Sequence, residues 1–365
     1  NIKKNDIFFA IKGKRIDGNR FIPEALKKKS SLVIVNQFNK DYPLFKQVKV
    51  KDTLNFLTKC STTFRENINA KIISITGSCG KTTLKEMIGF NLKKISRTTY
   101  SPKSFNNKYG VPLSIFNLKQ NDEFGVFEVG MDKRGEINYL TKITKPDLGI
   151  ITNISYAHSE NFNNINQIAD AKAEIMNNIK KGGTILLNMD DSFYRYHKNF
   201  ALKKNLNVIS FGIKNKSSMT RLVKIKKINQ KYELFIIVNS LLVSFYSNNT
   251  NKSNLYNILA TIAVVNLYTD IKKLKKDTFL NFKVPNGRGD ISKVKFKDKK
   301  IFLVDETYNS NPLSLKTAIE NYDKIKLKDS KKYLILGDML ELGKHSLKQH
   351  RLISNILNKT KIDQV

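Results

Sequence analysis

Ile72-Ile73-Ser74-Ile75-Thr76 is an apolar run of β character that stops at Gly77-Ser78-Cys79-Gly80 and passes directly into Lys81-Thr82-Thr83. Leu84, Met87, Ile88, Asn91, Leu92 and Ile95 then recur on one face of a helix. A strand that enters a helix through a glycine-bounded turn commits this part of the chain to an α/β layer. The turn itself is a compressed form of G-x-x-x-x-G-K-[ST], with Ile75 where the first glycine should stand and Gly77 two residues later. Backbone N–H groups of such a turn and of the following helix start carry partial positive charge, so residues Thr76, Gly77, Ser78, Cys79, Gly80, Lys81, Thr82 and Thr83 form a candidate cradle for a nucleoside triphosphate. Lys81 can bridge the outer phosphates and the Thr82 hydroxyl can hold Mg²⁺. A chance G-K-T in a flexible loop is the bland alternative, and the strand before and helix after argue against it.

The 365 residues, 40% of them apolar, are enough for two or three domains with sizeable cores. No apolar run approaches the roughly 18 residues of a membrane span, and the first thirty residues lack a signal-peptide stretch, so a cytoplasmic protein is expected. Cys60 and Cys79 are the two cysteines, too few for a disulfide framework and suited to a reducing compartment. The net charge of +34 invites a nucleic-acid reading. The lysines, however, are scattered in short groups such as 27–29 and 272–276 rather than gathered in one arm, so no nucleic-acid partner is expected. Such a surface would steer anionic substrates in general.

Along the chain, residues 1–69 carry two strand-like runs, Asp6 to Ile11 and Ser31 to Val35, around a helical Ile22 to Lys29. From residue 70 apolar runs at Phe124 to Val129, Leu148 to Thr152, Thr184 to Asn188 and Asn207 to Phe211 alternate with helical stretches, the pattern of a parallel sheet covered on both faces. Residues 221–246 read as an antiparallel β insertion, and a helix from Asn254 to Leu267 closes the unit. Pro285-Asn286-Gly287-Arg288-Gly289 is a breaker-rich hinge. Beyond it, Ile301 to Val304 and Tyr333 to Leu336 read as strands of a third α/β unit.

Ligands of open parallel sheets sit beyond the carboxyl ends of the strands, so polar residues there are informative. Glu128, His158, Asp305 and Asp338 occupy such positions. Taken singly, Glu128 is either a Mg²⁺ ligand or a solvated loop acid, and His158 either a site residue or a loop histidine with one backbone hydrogen bond. Lys172 is odder. With Ile168, Ile175, Met176 and Ile179 it falls on the inward stripe of a helix read over Ile168 to Ile179, where it either snorkels outward along its aliphatic stem or serves inside a site.

In order, these residues resemble the Mur ligase family, the ATP-dependent amino-acid ligases that build the peptide of the bacterial cell wall. The match is carried by residues 6–13 with Asp17-Gly18, Thr76 to Thr83, Ser104-Phe105-Asn106-Asn107 with Gly110-Val111-Pro112, Glu128-Val129-Gly130-Met131, Thr152-Asn153-Ile154 with Ala157-His158, and Ala171-Lys172-Ala173-Glu174-Ile175. It continues through Gly287-Arg288-Gly289, Tyr308-Asn309-Ser310-Asn311-Pro312 and residues 336–343. Phe-Asn-Asn, Tyr-Asn-Ser-Asn-Pro and Gly-Asp-Met-Leu-Glu-Leu-Gly are similar to the branch that adds D-Ala-D-Ala to a UDP-N-acetylmuramoyl-tripeptide. The resemblance implies a three-domain α/β architecture: a UDP-substrate domain over 1–69, a P-loop ATPase domain with β insertion over 70–283, and a Rossmann-like ligase domain, incomplete here, over 284–365. It implies ATP and Mg²⁺, catalytic Lys81, Lys172, His158 and Glu128, and metal held by Thr82, Glu128, His158 and a carbamylated Lys172. Asn257, Arg288 and Asp305 would contact ATP, and Asn106, Asn107, Tyr308, Asn309 and Asn311 the substrates; a monomer is expected. Three positions depart from the family pattern: Ser253-Asn254 replaces a His-Asn pair, Asp132 an Asn, and Ser155 a Gly.

Two rivals stand beside this reading. One is the Mur ligase that adds the third, diamino-acid residue of the peptide. The other is a nucleic-acid-stimulated ATPase, because Ile301-Phe302-Leu303-Val304-Asp305-Glu306 has the look of a Walker B strand; its remoteness from Lys81, across the β insertion and the hinge, weighs against it.

Overall fold

The computed structural model describes all residues except 1, 14–15, 298 and 326–329, and it divides into two compact units, Asn1–Ile68 and Asn69–Val365. In the first unit the strands β1 (Ile7–Phe9), β2 (Leu32–Val35) and β3 (Gln47–Lys49) pair in parallel in that order. The helix α1 (Ile22–Lys27) connects the first two, and α2 (Thr53–Glu66) follows the third. Asp52 starts α2 by accepting the Asn55 N–H at 2.7 Å, which satisfies one orphan donor of the first turn. Ala10, Ile22, Ala25, Val33 and Val35 form the small core.

The second unit opens with β4 (Lys71–Thr76), α3 (Lys81–Leu92), β5 (Thr98–Tyr100), α4 (Gly110–Ile115), β6 (Phe124–Glu128), α5 (Glu136–Thr144) and β7 (Leu148–Ile151). It continues with α6 (Ile165–Ala173), β8 (Thr184–Asn188), α7 (Tyr194–Lys203) and β9 (Asn207–Gly212). The insertion follows as β10 (Thr220–Ile228), β11 (Lys231–Val238) and β12 (Leu241–Ser247), closed by α8 (Lys252–Tyr268). Among the described residues these nine strands form one sheet, ordered β12-β11-β10-β9-β8-β7-β4-β6-β5. Pairing is parallel from β5 to β10 and antiparallel across the last two strands.

Both faces of the parallel part are covered, which is why β6, β7 and β8 read as unbroken apolar runs rather than alternating ones. Leu84, Met87, Ile88 and Leu92 of α3 and Ile258, Leu259 and Ile262 of α8 bury one face. Ile137 and Leu140 of α5, Ile168 and Ala171 of α6 and Ala201 of α7 bury the other. Each such Leu or Ile contributes about 1.5–3 kcal/mol by leaving water, so the sheet is the stiffest support the chain has. The chain runs from β4 out to the β5 edge, returns through β6, and crosses to β7 on the other flank of β4. The carboxyl end of β4 is therefore the switch point at which a doubly wound sheet leaves a crevice.

The remaining elements are an antiparallel hairpin, β13 (Asp290–Phe296) and β14 (Lys299–Asp305), and the helices α9 (Pro312–Asp323) and α10 (Ser346–Leu357). Ile319, Met339, Leu342 and Ile353 pack these helices together. Two expectations are corrected here. Tyr333 to Leu336 is not a strand: Tyr333 pairs with Gln364 in a single bridge, and Ile335 is 96% exposed. An apolar run becomes a strand only when a neighbour takes up its N–H and C=O groups, and one bridge does not do so. The helix read through Ile179 ends as α-helix at Ala173 and tightens into a 3₁₀ turn over Glu174–Asn178. Among the described residues no helix is long and apolar enough to cross a membrane.

Candidate active site

The turn after β4 is held from below by the end of its neighbour β7. Ser78 N–H donates to the Asn153 carbonyl at 2.9 Å, Cys79 N–H to Asn153 Oδ1 at 3.0 Å, and Thr152 Oγ1 to the Cys79 carbonyl at 2.6 Å. Ser78 Oγ donates to the Ser155 carbonyl at 2.9 Å. The first glycine is obligatory: Gly77 has φ +144°, and a Cβ there would lie 1.9 Å from Thr152 Oγ1. Gly80, at φ +81°, turns the chain into α3 and leaves the helix N-terminus without a side-chain cap, its N–H groups open to an anion. Lys81 Nζ donates back to the Gly77 carbonyl at 2.9 Å, so its ammonium lies across the mouth of the turn. Asn257, buried on α8, brings its Oδ1 to 3.6 Å from where a Cβ would stand on Gly80.

At the end of β6, Glu128 is 1% exposed and accepts from Thr82 Oγ1 at 2.6 Å and from Asn106 Nδ2 at 2.7 Å. Ser104 joins this group, its Oγ 3.1 Å from Thr82 Oγ1 and accepting from Arg288 Nη2 at 3.1 Å. Among the described residues the buried Glu128 carboxylate meets hydroxyl and amide donors but no cationic side chain. A buried anion left in that state is costly, and a divalent ion beside the Thr82 hydroxyl would offset it. The residues present therefore fit Mg²⁺.

Lys172 lies on α6 at 2% exposure, and among the described residues its amine makes no hydrogen bond. Burial holds its pKa well below the ordinary lysine value, and the positive charge of Lys81 pushes the same way, against a small opposing effect of Cys79. The side chain is buried and does not snorkel outward. His158 has its pKa lowered, first by burial and then by Lys81 and Lys172, with Glu341 and Asp132 opposing. It sits in the left-handed region at φ +53°. Its Nδ1 is 2.5 Å from Glu341 Oε2 and 3.4 Å from Asp132 Oδ1, contacts without hydrogen-bond geometry, and the three groups offer ligand atoms within 4.8 Å of one another.

Asn311 reaches the turn from the opposite side. Its Oδ1 caps α9 by accepting from Leu313 and Ser314 N–H and also accepts from Cys79 Sγ at 3.0 Å, while its Nδ2 is 3.5 Å from the Ser78 carbonyl. Other expected residues lie apart from this cluster. Asn107 Oδ1 accepts from the Tyr109 and Gly110 N–H groups where the chain enters α4. Asp305 ends β14 and accepts from Thr307. Tyr308 is exposed beneath the Arg288 guanidinium, 4.1 Å from its ring, and Asn309 is exposed. Asp305 thus belongs to an antiparallel hairpin outside the nine-stranded sheet, which removes the Walker B comparison.

Sequence reasoning named these braces only as parts of family-like segments and gave none of them a role: Asn153 and Ser155 under the turn, Ser104 between Thr82 and Arg288, and Glu341 beside His158. For the first two a signal existed, since a strand adjacent to the phosphate strand must end beside its turn. Ser104 and Glu341 come from distant parts of the chain and carry no such signal.

The Mur ligase middle domain is matched over residues 75–265. The chain is 32% identical to the UDP-N-acetylmuramoyl-tripeptide--D-alanyl-D-alanine ligase of Buchnera aphidicola subsp. Acyrthosiphon pisum, the match covering 98% of this chain and 77% of that protein. Identity to the ligase of the same name from Bacillus subtilis is 28%, over 100% of this chain and 77% of the relative. Among solved structures, MurF from Acinetobacter baumannii superposes with a TM-score of 0.86 at 25% identity, covering 100% of this chain and 77% of that one. MurF ligase from Thermotoga maritima in complex with ADP gives 0.82 at 27% identity, covering 99% and 81%.

Proposed function

Because this chain belongs to the Mur ligase family, we propose that it joins D-Ala-D-Ala to the terminal carboxylate of a UDP-N-acetylmuramoyl-tripeptide in the cytoplasm, converting ATP to ADP and phosphate. The observation that carries the chemistry is the meeting, around one phosphate turn, of the Thr82–Glu128 pair, the Lys81 ammonium and the buried amine of Lys172. The branch follows relatives of that name, two of which align over 98% and 100% of the chain.

A carboxylate resists attack by an amine, so the acid must first be made reactive. Its oxygen attacks the γ-phosphorus of ATP, the bond to the β-phosphate oxygen breaks, and ADP leaves. The dipeptide amine then adds to the carbonyl of the acyl phosphate, loses a proton, and expels phosphate. In the first step two anions must approach, and the residues of the turn lower that cost: the N–H groups after Gly80 face the phosphates, and Lys81 spans their outer oxygens. Thr82 and Glu128 would hold one Mg²⁺, and His158 with Lys172 a second. Bound there, the ions would supply charge neutralisation at the transferring phosphoryl group.

Lys172 fits that role as a carbamate. Burial beside Lys81 disfavours the protonated amine, and the free amine is the form that adds CO₂, releasing a proton. The product is an anion that attracts Lys81 where the ammonium would repel it. Asn257 would face the adenine, Arg288 the phosphates and Asp305 the ribose. Asn106, Asn107, Tyr308, Asn309 and Asn311 would receive the substrates. Residues 1–69, 70–283 and 284–365 would serve as the UDP-substrate, ATP-binding and ligase parts.

Phosphate release tests the reading. Sustained release is expected only when ATP, the muramoyl tripeptide and D-Ala-D-Ala are all present, with one amide formed per phosphate. Turnover that needs neither peptide but rises with added DNA or RNA contradicts it.

A further inference from the structure

Lys85 has no part in the chemistry above, yet it is fully buried at 0% exposure, one helical turn beyond Lys81 and Thr82 on α3. A lysine with no outlet to water must satisfy three donors internally. Its Nζ donates to the Ser101 carbonyl at 2.5 Å, to the Lys103 carbonyl at 2.8 Å and to Glu86 Oε1 at 2.5 Å, which also balances its charge. Two of its three donors are therefore spent on carbonyls of a single stretch of irregular main chain, just after β5. That stretch is under strain at Lys103, which has φ +48°. Its continuation delivers Ser104 to Thr82 and Asn106 to Glu128.

We infer that Lys85 is a positioning residue: its ammonium clamps the chain at Ser101 and Lys103 and thereby fixes Ser104 and Asn106 against Thr82 and Glu128. The inference rests on the reading of Thr82 and Glu128 as cation ligands. Helix geometry makes the link rigid, because residues three and four apart share a face and Lys85 follows Thr82 by three and Lys81 by four. The loop and the start of α3 are thus tied at two points, one through Lys85 and one through the Ser104–Thr82 contact. Removing the first leaves Ser104 and Asn106 free to drift while the phosphate turn, braced separately by Asn153 and Ser155, keeps its shape.

The test is ADP binding by calorimetry at a series of Mg²⁺ concentrations, which needs no peptide substrate. In Lys85→Met the Mg²⁺ concentration that gives half of the tightening of ADP binding rises about tenfold, whereas ADP affinity without Mg²⁺ stays within twofold of the wild type. Asn106→Ala acts through the same contact, so adding Lys85→Met to it changes the Mg²⁺ dependence by less than twofold. Lys85→Gln keeps one amide donor for the loop and gives an intermediate shift. It carries the test should the methionine variant not fold. An unchanged Mg²⁺ dependence in a folded variant overturns the clamp, as does an equal loss of ADP affinity with and without Mg²⁺, or full additivity with Asn106→Ala. If instead the clamp behaves as described but no amide forms from the two peptides, the proposed reaction fails and the positioning role stands.

Discussion

Lys172 is a side chain costly to the fold, and its use would lie in the proposed reaction. Burial holds the pKa of its amine in the folded chain well below the ordinary lysine value of about 10.4 that it has in the unfolded one. The unfolded state therefore binds more protons, and by linkage the wild-type fold gains stability as pH rises toward that value. In metal-free buffer at pH 7, Lys172→Met is expected to be more stable than wild type by about 1–3 kcal/mol, with the gain shrinking toward pH 10 and ligation lost. Denaturant titration at several pH values checks this. Equal stability at all pH values, or retained ligation, contradicts it. Lys172→Ala is expected to regain part of the ligation when a small carboxylic acid is added. At this scale the sequence was informative where a residue broke a local rule. A lysine on an apolar stripe and an acid ending a buried strand were both visible, and both are at the site. The Cys79 thiol donates to Asn311, a partner from far along the chain that local sequence does not reveal.

Among the elements, α6 matters most because it presents Lys172, and α7 holds it through His197. That ring is 2% exposed, and its Nε2 donates to the Ala169 carbonyl at 3.1 Å. Burial pushes its pKa down to about 4. A histidine depressed in this way contributes stability that is complete above its unfolded value near 6.5 and is lost as pH falls toward 4. Between pH 7 and pH 4.5 the wild type is expected to lose about 2 kcal/mol more than His197→Gln, which keeps a donor for Ala169. Parallel losses in the two proteins, measured by urea unfolding, contradict this role. The central strands of the large sheet, β4 and β6 to β8, could be read from their apolar runs because they are buried on both faces. The hairpin β13–β14 could not be read so well, since only its second strand is apolar enough to register and what pairs with it is a lysine-rich segment. Tyr333 to Leu336 was over-read for the reason that composition reports an apolar run but not whether a partner strand lies beside it.

At the largest scale, the second unit, with its nine-stranded sheet, brings residues from positions 76 to 341 around one turn. The α/β class followed from the order of apolar runs. The convergence of Glu341 and Asn311 on that turn did not, because contacts so distant in sequence depend on how the elements after the hinge pack. The central claim is that phosphate from ATP is carried on the acid before the dipeptide arrives. Labelling the terminal carboxylate of the muramoyl tripeptide with two ¹⁸O atoms tests it most directly. The account predicts that the phosphate released during ligation carries one ¹⁸O and the new amide the other. Unlabelled phosphate formed alongside the amide product would contradict it.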